Sequence, residues 1–584
     1  MDKVDNNIIM INESNTIVSK KMAERLLSCL TMCHNILRSQ EGMSPESAFR
    51  ELNKLLFVKY ISEKDGEDWK YSNDVDYIHR VFDKVKQEFE YEHLFDYSDT
   101  ITARAVSYRD VLGSLDGFHI SYANKETGRA YDSFVHKVLR NFSEEPVIPH
   151  VVAENIVDFL NIKQGSNVVD PFCGYGALLS EIVSQRPEER SGKTFGYERD
   201  MMLVQAAKMN MLMHGDRNAR IERTTEYQYS FKSQFDFVVT CIKRRETVWR
   251  GIQEAMELLG PEGKAALLIP DDILQKDQYE YERRELLRRH TIRAIVSLPA
   301  SAIRTQGRQA KWSVLIIQAN LPHDINDKTL FAKVENAGVS TLGLPSEKND
   351  FKVIEPIVFQ WVKNGAMESG KNVMWVNLLA TREWNVEAEL LREESRFATQ
   401  YHLYKLKDLV EIVSIPAAEL PRDEYKQVTV RKNQHDVILR DRVLAKDIKD
   451  IKRQSIVRAG QMIVSRINAK DGAIGIVPQE LDGAIVSDNF IVLNFKSNSV
   501  DPYYMLMLLT SERYRKMLKG ISRGVTARSY VRNIDFLEME VPAPDMEKQL
   551  ELIGDMAGIQ QKINNLEKQW ADGIKRFSKE LFGQ

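Results

Sequence analysis

The sequence predicts an α/β protein in successive parts: a helical N-terminal region, a doubly wound, Rossmann-like sheet with helices on both faces, a mixed α+β region of short strands, and a long closing helix. Three observations carry this. Residues from about 18 to 95 place apolar side chains at three- and four-residue spacing. Between about 150 and 320, short β-branched runs alternate with amphipathic stretches. From about 401 to 545, short strand-like runs are broken by glycine-containing turns, and an unbroken apolar stripe follows.

In chain order, SKKMAERLLSCLTMCHNILRS and PESAFRELNKLLFVKYISEK read as amphipathic helices, with Pro45 near a helix start. The alternating part supplies buried strands in SNVVD, KTFGYE, FDFVVT, KAALLIP, RAIVSLP and KWSVLIIQ. Residues 321–400 give weak signals and read as a connecting region. After the short-strand region, Leu550, Ile553, Met556, Ile559, Ile563, Leu566, Trp570, Ile574, Phe577 and Leu581 continue at helical spacing, which predicts one helix in need of a partner helix. The expected parts are 1–130, 131–325, 326–400, 401–545 and 546–584.

Composition narrows the function. A net charge of -3 excludes a uniformly basic protein, so nucleic acid would have to bind local basic patches. No signal-peptide pattern opens the chain and no apolar run approaches the roughly 18 residues of a membrane span, so a cytoplasmic location is expected. The four cysteines are too few and scattered for a disulfide framework; Cys29, Cys33 and His34 fit a buried helix face better than a metal site, and none is expected.

The densest chemistry lies in VVDPFCGYGALL. A strand runs into Asp170, Pro171 and Phe172, then a Gly174-Tyr175-Gly176 turn opens a helix, where small residues and free N–H groups let a ligand approach closely. A second strand ends in Glu198, where such sheets hold ribose hydroxyls. The order of strand, turn, helix, strand and acid points to a nucleoside cofactor.

This stretch resembles motif I of N6-adenine DNA methyltransferases, specifically the modification subunit of type I restriction-modification systems. QAAKMNMLMHG, GPEGKAALLIPDDIL and IRAIVSLPASAI resemble later parts of that family, and the likeness spans roughly residues 20 to 320. It implies a methyltransferase fold and S-adenosylmethionine as cofactor, held by Asp170, Pro171, Phe172, Gly174, Gly176, Glu198 and Pro149 of the Pro146-Val147-Ile148-Pro149 segment.

One motif departs from the family. Its members follow the fourth strand with Asn-Pro-Pro-Phe or Asn-Pro-Pro-Tyr. Adenine N6 is a poor nucleophile, because its lone pair is delocalised into the ring. The Asn oxygen and a Pro carbonyl accept its two hydrogens, and the aromatic ring stacks on the flipped base. Here Cys241, Ile242, Lys243 and Arg244 stand at those positions. A thiol is a weak acceptor, no ring is present, and two cations near a sulfonium are unfavourable. The degenerate motif points to a pseudo-methyltransferase; an active N6-adenine methyltransferase and a cofactor-sensing scaffold for a nuclease or effector stay open.

Residues 401–545 resemble one target-recognition domain of a type I specificity subunit, through YKLKDLVEIV, VRAGQMIVSRINAKDGAIGIV and the run closing in VPAPDMEKQ. Double-stranded DNA is the implied ligand. From Ser511 to Arg532 seven basic residues face one acid, with Tyr514 and Tyr530 interleaved, a mixture suited to phosphate anchoring and base-edge contact. The candidates are Arg466, Lys470, Arg513, Arg515, Lys519, Arg523, Thr526, Arg528 and Arg532. A specificity subunit carries two such domains; this chain has one, so a homodimer through the terminal helix is expected, with any nuclease or translocase on a separate subunit.

Overall fold

The computed structural model describes residues 2–67, 76–140, 142–143, 145–185, 193–224, 233–244, 247–304, 311–340, 345–381, 383–395, 399–432, 436–448, 450–496, 500–523, 530–554 and 556–582. The chain divides into two compact units, Met1–Val386 and Glu387–Gln584.

The first unit opens with helices α1 (Asp2–Glu41), α2 (Pro45–Lys64), α3 (Tyr77–Glu88), α4 (Ala105–Ser114) and α5 (Lys125–Leu139). Pro45 occupies the first turn of α2, where its missing N–H costs nothing, and the Ser44 side chain accepts from the Ser47 N–H. Cys33 and His34 belong to this core: the Cys33 thiol donates to the Val111 carbonyl at 3.6 Å, and His34 Nε2 lies 2.9 Å from the Pro45 carbonyl. The expected boundary at residue 130 falls inside α5, one continuous helix whose Asn124 capping box starts it and whose buried face runs from Gly128 to Leu139.

Helix α6 (His150–Asp158) leads into a nine-stranded sheet. Its early strands are β1 (Val168–Asp170), β2 (Thr194–Glu198), β3 (Arg220–Arg223), β4 (Phe235–Cys241) and β5 (Leu259–Pro270), with helices α7 (Ala177–Ser184), α8 (Met201–Met213) and α9 (Val248–Glu257) between them. After α10 (Glu280–Arg289) come β6 (Thr291–Ser297), β7 (Trp312–Gln318) and β8 (Thr329–Lys333). A hairpin of β9 (Ala337–Val339) and β10 (Pro345–Asn349), helix α11 (Phe351–Asn364) and strand β11 (Val373–Val376) follow. The sheet order is β11-β8-β6-β7-β5-β4-β1-β2-β3. β3, β2, β1, β4 and β5 pair in parallel, β7 runs antiparallel to both β5 and β6, and β11 runs antiparallel to β8. All of β1 and all but the last residue of β7 are buried, as expected of strands covered on both faces.

The stretch expected as a connecting region, 326–400, contains strands and a helix of the first unit. β8 and β11 extend the sheet, and α11 buries Phe351, Ile354 and Trp361. The Trp361 indole N–H donates to the Arg293 carbonyl on β6 at 2.7 Å. Among the described residues no helix is long and apolar enough to cross a membrane.

The second unit takes up α12 (Val386–Ser395) and holds two four-stranded sheets. After β12 (Leu403–Lys405) and α13 (Leu406–Leu409), the strands are β13 (Val410–Ile412), β14 (Glu424–Val430), β15 (Val437–Leu444), β16 (Gln454–Ile456), β17 (Met462–Ser465), β18 (Ile474–Ile476), β19 (Ile485–Ser487) and β20 (Phe490–Phe495). They pair as β13-β20-β17-β18 and β15-β14-β19-β16. Helices α14 (Pro502–Thr510) and α15 (Glu512–Ile521) lead to the short hairpin β21 (Ser522–Arg523) and β22 (Tyr530–Val531). Helix α16 (Asn533–Leu537) and β23 (Glu540–Pro542) close the unit, β23 pairing antiparallel with β12.

The single terminal helix expected from residue 547 onward is two: α17 (Met546–Ile553) and α18 (Met556–Phe582). Gly554 adopts φ 51° and ends the first. Gln549, wholly buried, fastens α17 by accepting from the Asp501 N–H at 2.8 Å and donating to the Pro544 carbonyl at 2.7 Å.

Candidate active site and nucleic-acid interface

The strand order reverses between β1 and β4, and a crevice at the carboxyl ends of such strands is where open α/β sheets bind ligands. A cleft of about 900 Å3 lies there, lined among others by Pro171, Phe172, Glu198, Met202, Leu203, Cys241, Ile242, Lys243 and Arg244. That volume is within the usual range of small-molecule sites, ~300–1,000 Å3.

β1 delivers Asp170 to the start of the turn. Its Oδ1 accepts from the Phe172 N–H at 3.0 Å and from the Thr240 hydroxyl on β4. Burial raises its pKa to about 7 against the pull of those two donors, and the nearby Glu198 charge adds to the rise. Gly174 and Gly176 both adopt positive φ, 55° and 84°, conformations that L side chains rarely take. Gly176 does not face the cleft; a Cβ there would lie 3.4 Å from the Ala207 backbone of α8, so this glycine serves helix packing.

Glu198 closes β2 with its carboxylate already engaged. Oε2 accepts from the Gly174 N–H at 3.0 Å, and Oε1 from the Arg199 and Asp200 N–H groups at 2.7 and 3.0 Å. Burial raises its pKa, and those three donors oppose the rise. A carboxylate oxygen can accept two hydrogen bonds, so Oε2 keeps capacity for a ribose hydroxyl.

In the segment before α6, Pro146 lines the cleft, whereas Pro149, expected beside the cofactor, is the residue that precedes α6. The reason is local: Val147 is held in a two-bond bridge with Arg304, so the cleft-facing position is set upstream. Glu145, which the sequence reading passed over, also lines the cleft and forms an ion pair with Lys243.

Cys241 ends β4 beside Asp170, and burial pushes its thiol pKa far up, so it stays protonated. Ile242 is buried, its N–H donating to the Leu268 carbonyl at 2.9 Å; Arg244 is exposed. No side-chain amide lines the cleft among the described residues. Three aromatic residues line it, Phe172, Tyr197 and Trp312. Trp312 is 2% exposed, and its indole N–H has no hydrogen-bond partner among the described residues.

Among the described residues one group has metal-ligand spacing: His150, Glu154 and Glu181. The Arg129 guanidinium sits on His150 Nε2, which occupies that nitrogen, and Lys125 lies 4.0 Å from Glu181.

In the second unit the fold gathers basic residues distant in sequence. The Val531 N–H donates to the Arg466 carbonyl at 2.9 Å, and Arg515 Nε donates to the Lys470 carbonyl at 3.4 Å. Arg466 is half-buried, its Nε donating to the Asp488 carbonyl at 2.9 Å, while Arg513 and Lys519 are exposed on α15. Arg532 is tied to Asp535 through Nε and Nη2 at 2.8 and 3.0 Å. Tyr514, grouped by sequence with the basic surface, is a core residue, 1% exposed and donating to the Glu540 carbonyl at 2.9 Å; Tyr530 is 46% exposed. Thr526 and Arg528 lie outside the described residues, as does the side chain of Arg523.

Residues 127–249 and 242–362 match the family described as N-6 DNA Methylase. The type II restriction enzyme and methyltransferase RM.BcgI of Heyndrickxia coagulans is 21% identical over 215 residues, 32% of this chain and 33% of that protein. A type I restriction enzyme MjaX specificity subunit of Methanocaldococcus jannaschii is 23% identical over 128 residues, 21% of this chain and 30% of that one. This chain thus spans about a third of the length of these relatives. Among solved structures, the type I methyltransferase subunit of Streptococcus thermophilus superposes with a TM-score of 0.45 at 16% identity, covering 62% of this chain and 98% of that one.

Proposed function

From a chain that is restriction-modification methyltransferase-like, with an N-6 DNA methylase region across residues 127–362, we propose a sequence-specific DNA reader whose methyltransferase core keeps its cofactor cleft and has lost the groups that present adenine. The observation that carries this is that Cys241, Ile242, Lys243 and Arg244 line the cleft, with a protonated thiol and two cations at the motif positions where an amide and a ring would be needed.

The residues around the glycine turn and Glu198 suit S-adenosylmethionine. Glu198 stands at the ribose position, the Gly174 turn allows close approach, and Phe172, Met202 and Leu203 offer apolar surface for an adenine ring. That cofactor, when bound, supplies an electrophilic methyl group. The chain's own residues supply its seat: Asp170 shapes the turn through the Phe172 N–H, and Glu145 sets a carboxylate toward the cleft.

The basic cluster of Arg466, Lys470, Arg513, Arg515 and Lys519, with Arg523, Thr526, Arg528 and Arg532 near it in sequence, is the proposed DNA contact. A second copy of the chain, joined through α18, would supply the other half of a two-part site, and any nuclease or translocase would be a separate subunit. A second reading, an active N6-adenine methyltransferase, is favoured by the part-exposed ring of Phe172 in the cleft, which could stack a base. A cofactor-sensing scaffold for an effector is the third reading.

Selection from a pool of random duplexes tests the reader. Repeated rounds of binding are expected to enrich one bipartite sequence with related halves, and a pool that stays random would contradict the proposal.

A further inference from the structure

Beneath the glycine turn lies a buried polar cluster that ligand contact in the cleft does not explain. Tyr175, between Gly174 and Gly176, is 3% exposed. Its hydroxyl accepts from the Ile148 N–H at 3.3 Å and lies 2.8 Å from His136 Nε2 on α5. An N–H can only donate, so the hydroxyl proton is left for His136, whose Nε2 then accepts. The two rings meet edge to face, centroids 5.3 Å apart. Burial lowers the His136 pKa, in keeping with a neutral, accepting ring.

The backbone of the same residue is held from below. Asn210 of α8 donates through Nδ2 to the Tyr175 carbonyl at 3.1 Å and to Asp132 Oδ1 of α5 at 2.7 Å. Asp132 also accepts from the Ser180 hydroxyl on α7 at 3.3 Å and faces His214 Nε2 at 3.4 Å. α5 reaches this depth because Gly128 lies against the His214 ring, where an added Cβ would be 2.2 Å away.

We propose that Tyr175 is a positioning residue: its hydroxyl fastens the 145–149 segment to the glycine turn and ties both to α5, so that the helices before the sheet shape the cofactor end of the cleft. Glu145 and Pro146, which line the cleft, belong to the fastened segment, and small displacements of such groups change ligand affinity steeply. The effect on affinity rests on the proposed S-adenosylmethionine reading; the fastening itself does not.

The test uses the full chain as Tyr175→Phe, which keeps the ring and removes the hydroxyl, with His136→Leu and His136→Gln. Hydrogen exchange of the Val147 and Ile148 amides is expected to quicken about tenfold in Tyr175→Phe and His136→Leu, with β6 amides still protected. His136→Gln, which retains an acceptor, is expected to recover protection. Calorimetry with S-adenosylmethionine is expected to give a Kd about tenfold weaker in the first two variants, at unchanged stoichiometry. If wild type binds no S-adenosylmethionine, the cofactor reading fails while exchange still decides the fastening. Unchanged exchange at 145–149, or a uniform acceleration across the unit, would overturn the proposal.

Discussion

Asp170 concentrates two donors on one carboxylate oxygen in a site that leaves it 2% exposed. Its pKa stands at about 7 against a usual 3.8, because burial outweighs those hydrogen bonds. The folded state therefore holds this proton more tightly than the unfolded chain does. Stability from this group is fully present below about pH 4 and is lost as pH rises through about 7. Asp170→Asn keeps an acceptor oxygen for both donors and removes the buried charge. Thermal melting is expected to show the variant more stable than wild type at pH 8, by roughly 2–4 °C, and no more stable near pH 4. At Lys243 the expectation concerns affinity. Its ammonium already occupies Glu145, so a cationic ligand meets a carboxylate that is spoken for. Lys243→Met should tighten S-adenosylmethionine about fivefold by calorimetry, and an unchanged Kd would remove the ion pair from the account. At this scale the sequence exposed the motif-bearing residues, because each acts within a few positions of its neighbours. It hid Glu145 and Thr240, which reach the site across 98 and 70 residues of chain. It gave no sign that Pro146 rather than Pro149 lines the cleft, because the bridge between Val147 and Arg304 forms only in the fold.

The elements legible in the sequence were those with an unmixed pattern. β4, β5, β6 and β7 announce themselves as runs of buried aliphatic residues, and α2 through its serine cap and Pro45. β8 and β11 were missed because each is short and gains its partner only from the assembled sheet. The break at Gly554 was hidden because apolar spacing continues across it while the backbone turns to φ 51°. What remains beyond it is α18, whose Ile563, Leu566, Trp570, Ile574 and Phe577 are 42–74% exposed. Its apolar steps of three and four include two successive fours at Leu566–Trp570–Ile574, a stutter that locally relaxes supercoiling with a partner helix. A stripe this apolar and exposed is expected to be covered by a second copy. Light scattering should give twice the chain mass of 67.3 kDa for wild type and the single mass for Ile563→Glu with Trp570→Glu. A double variant that remains dimeric would place the contact elsewhere.

Across the whole molecule, a net charge of -3 leaves little attraction for DNA beyond what a local cluster provides. The division into Met1–Val386 and Glu387–Gln584 sets the cleft in one unit and that basic cluster in the other. The central claim is that the cleft is intact where a cofactor would sit and altered where a base would be presented. The measurement that reaches it most directly is transfer of labelled methyl from S-adenosylmethionine to genomic DNA, run on wild type and on the variant carrying Cys241→Asn, Ile242→Pro, Lys243→Pro and Arg244→Tyr together. No label in DNA with wild type, and label at adenine N6 with the variant, is the predicted result. Label entering DNA with the wild-type chain would contradict it.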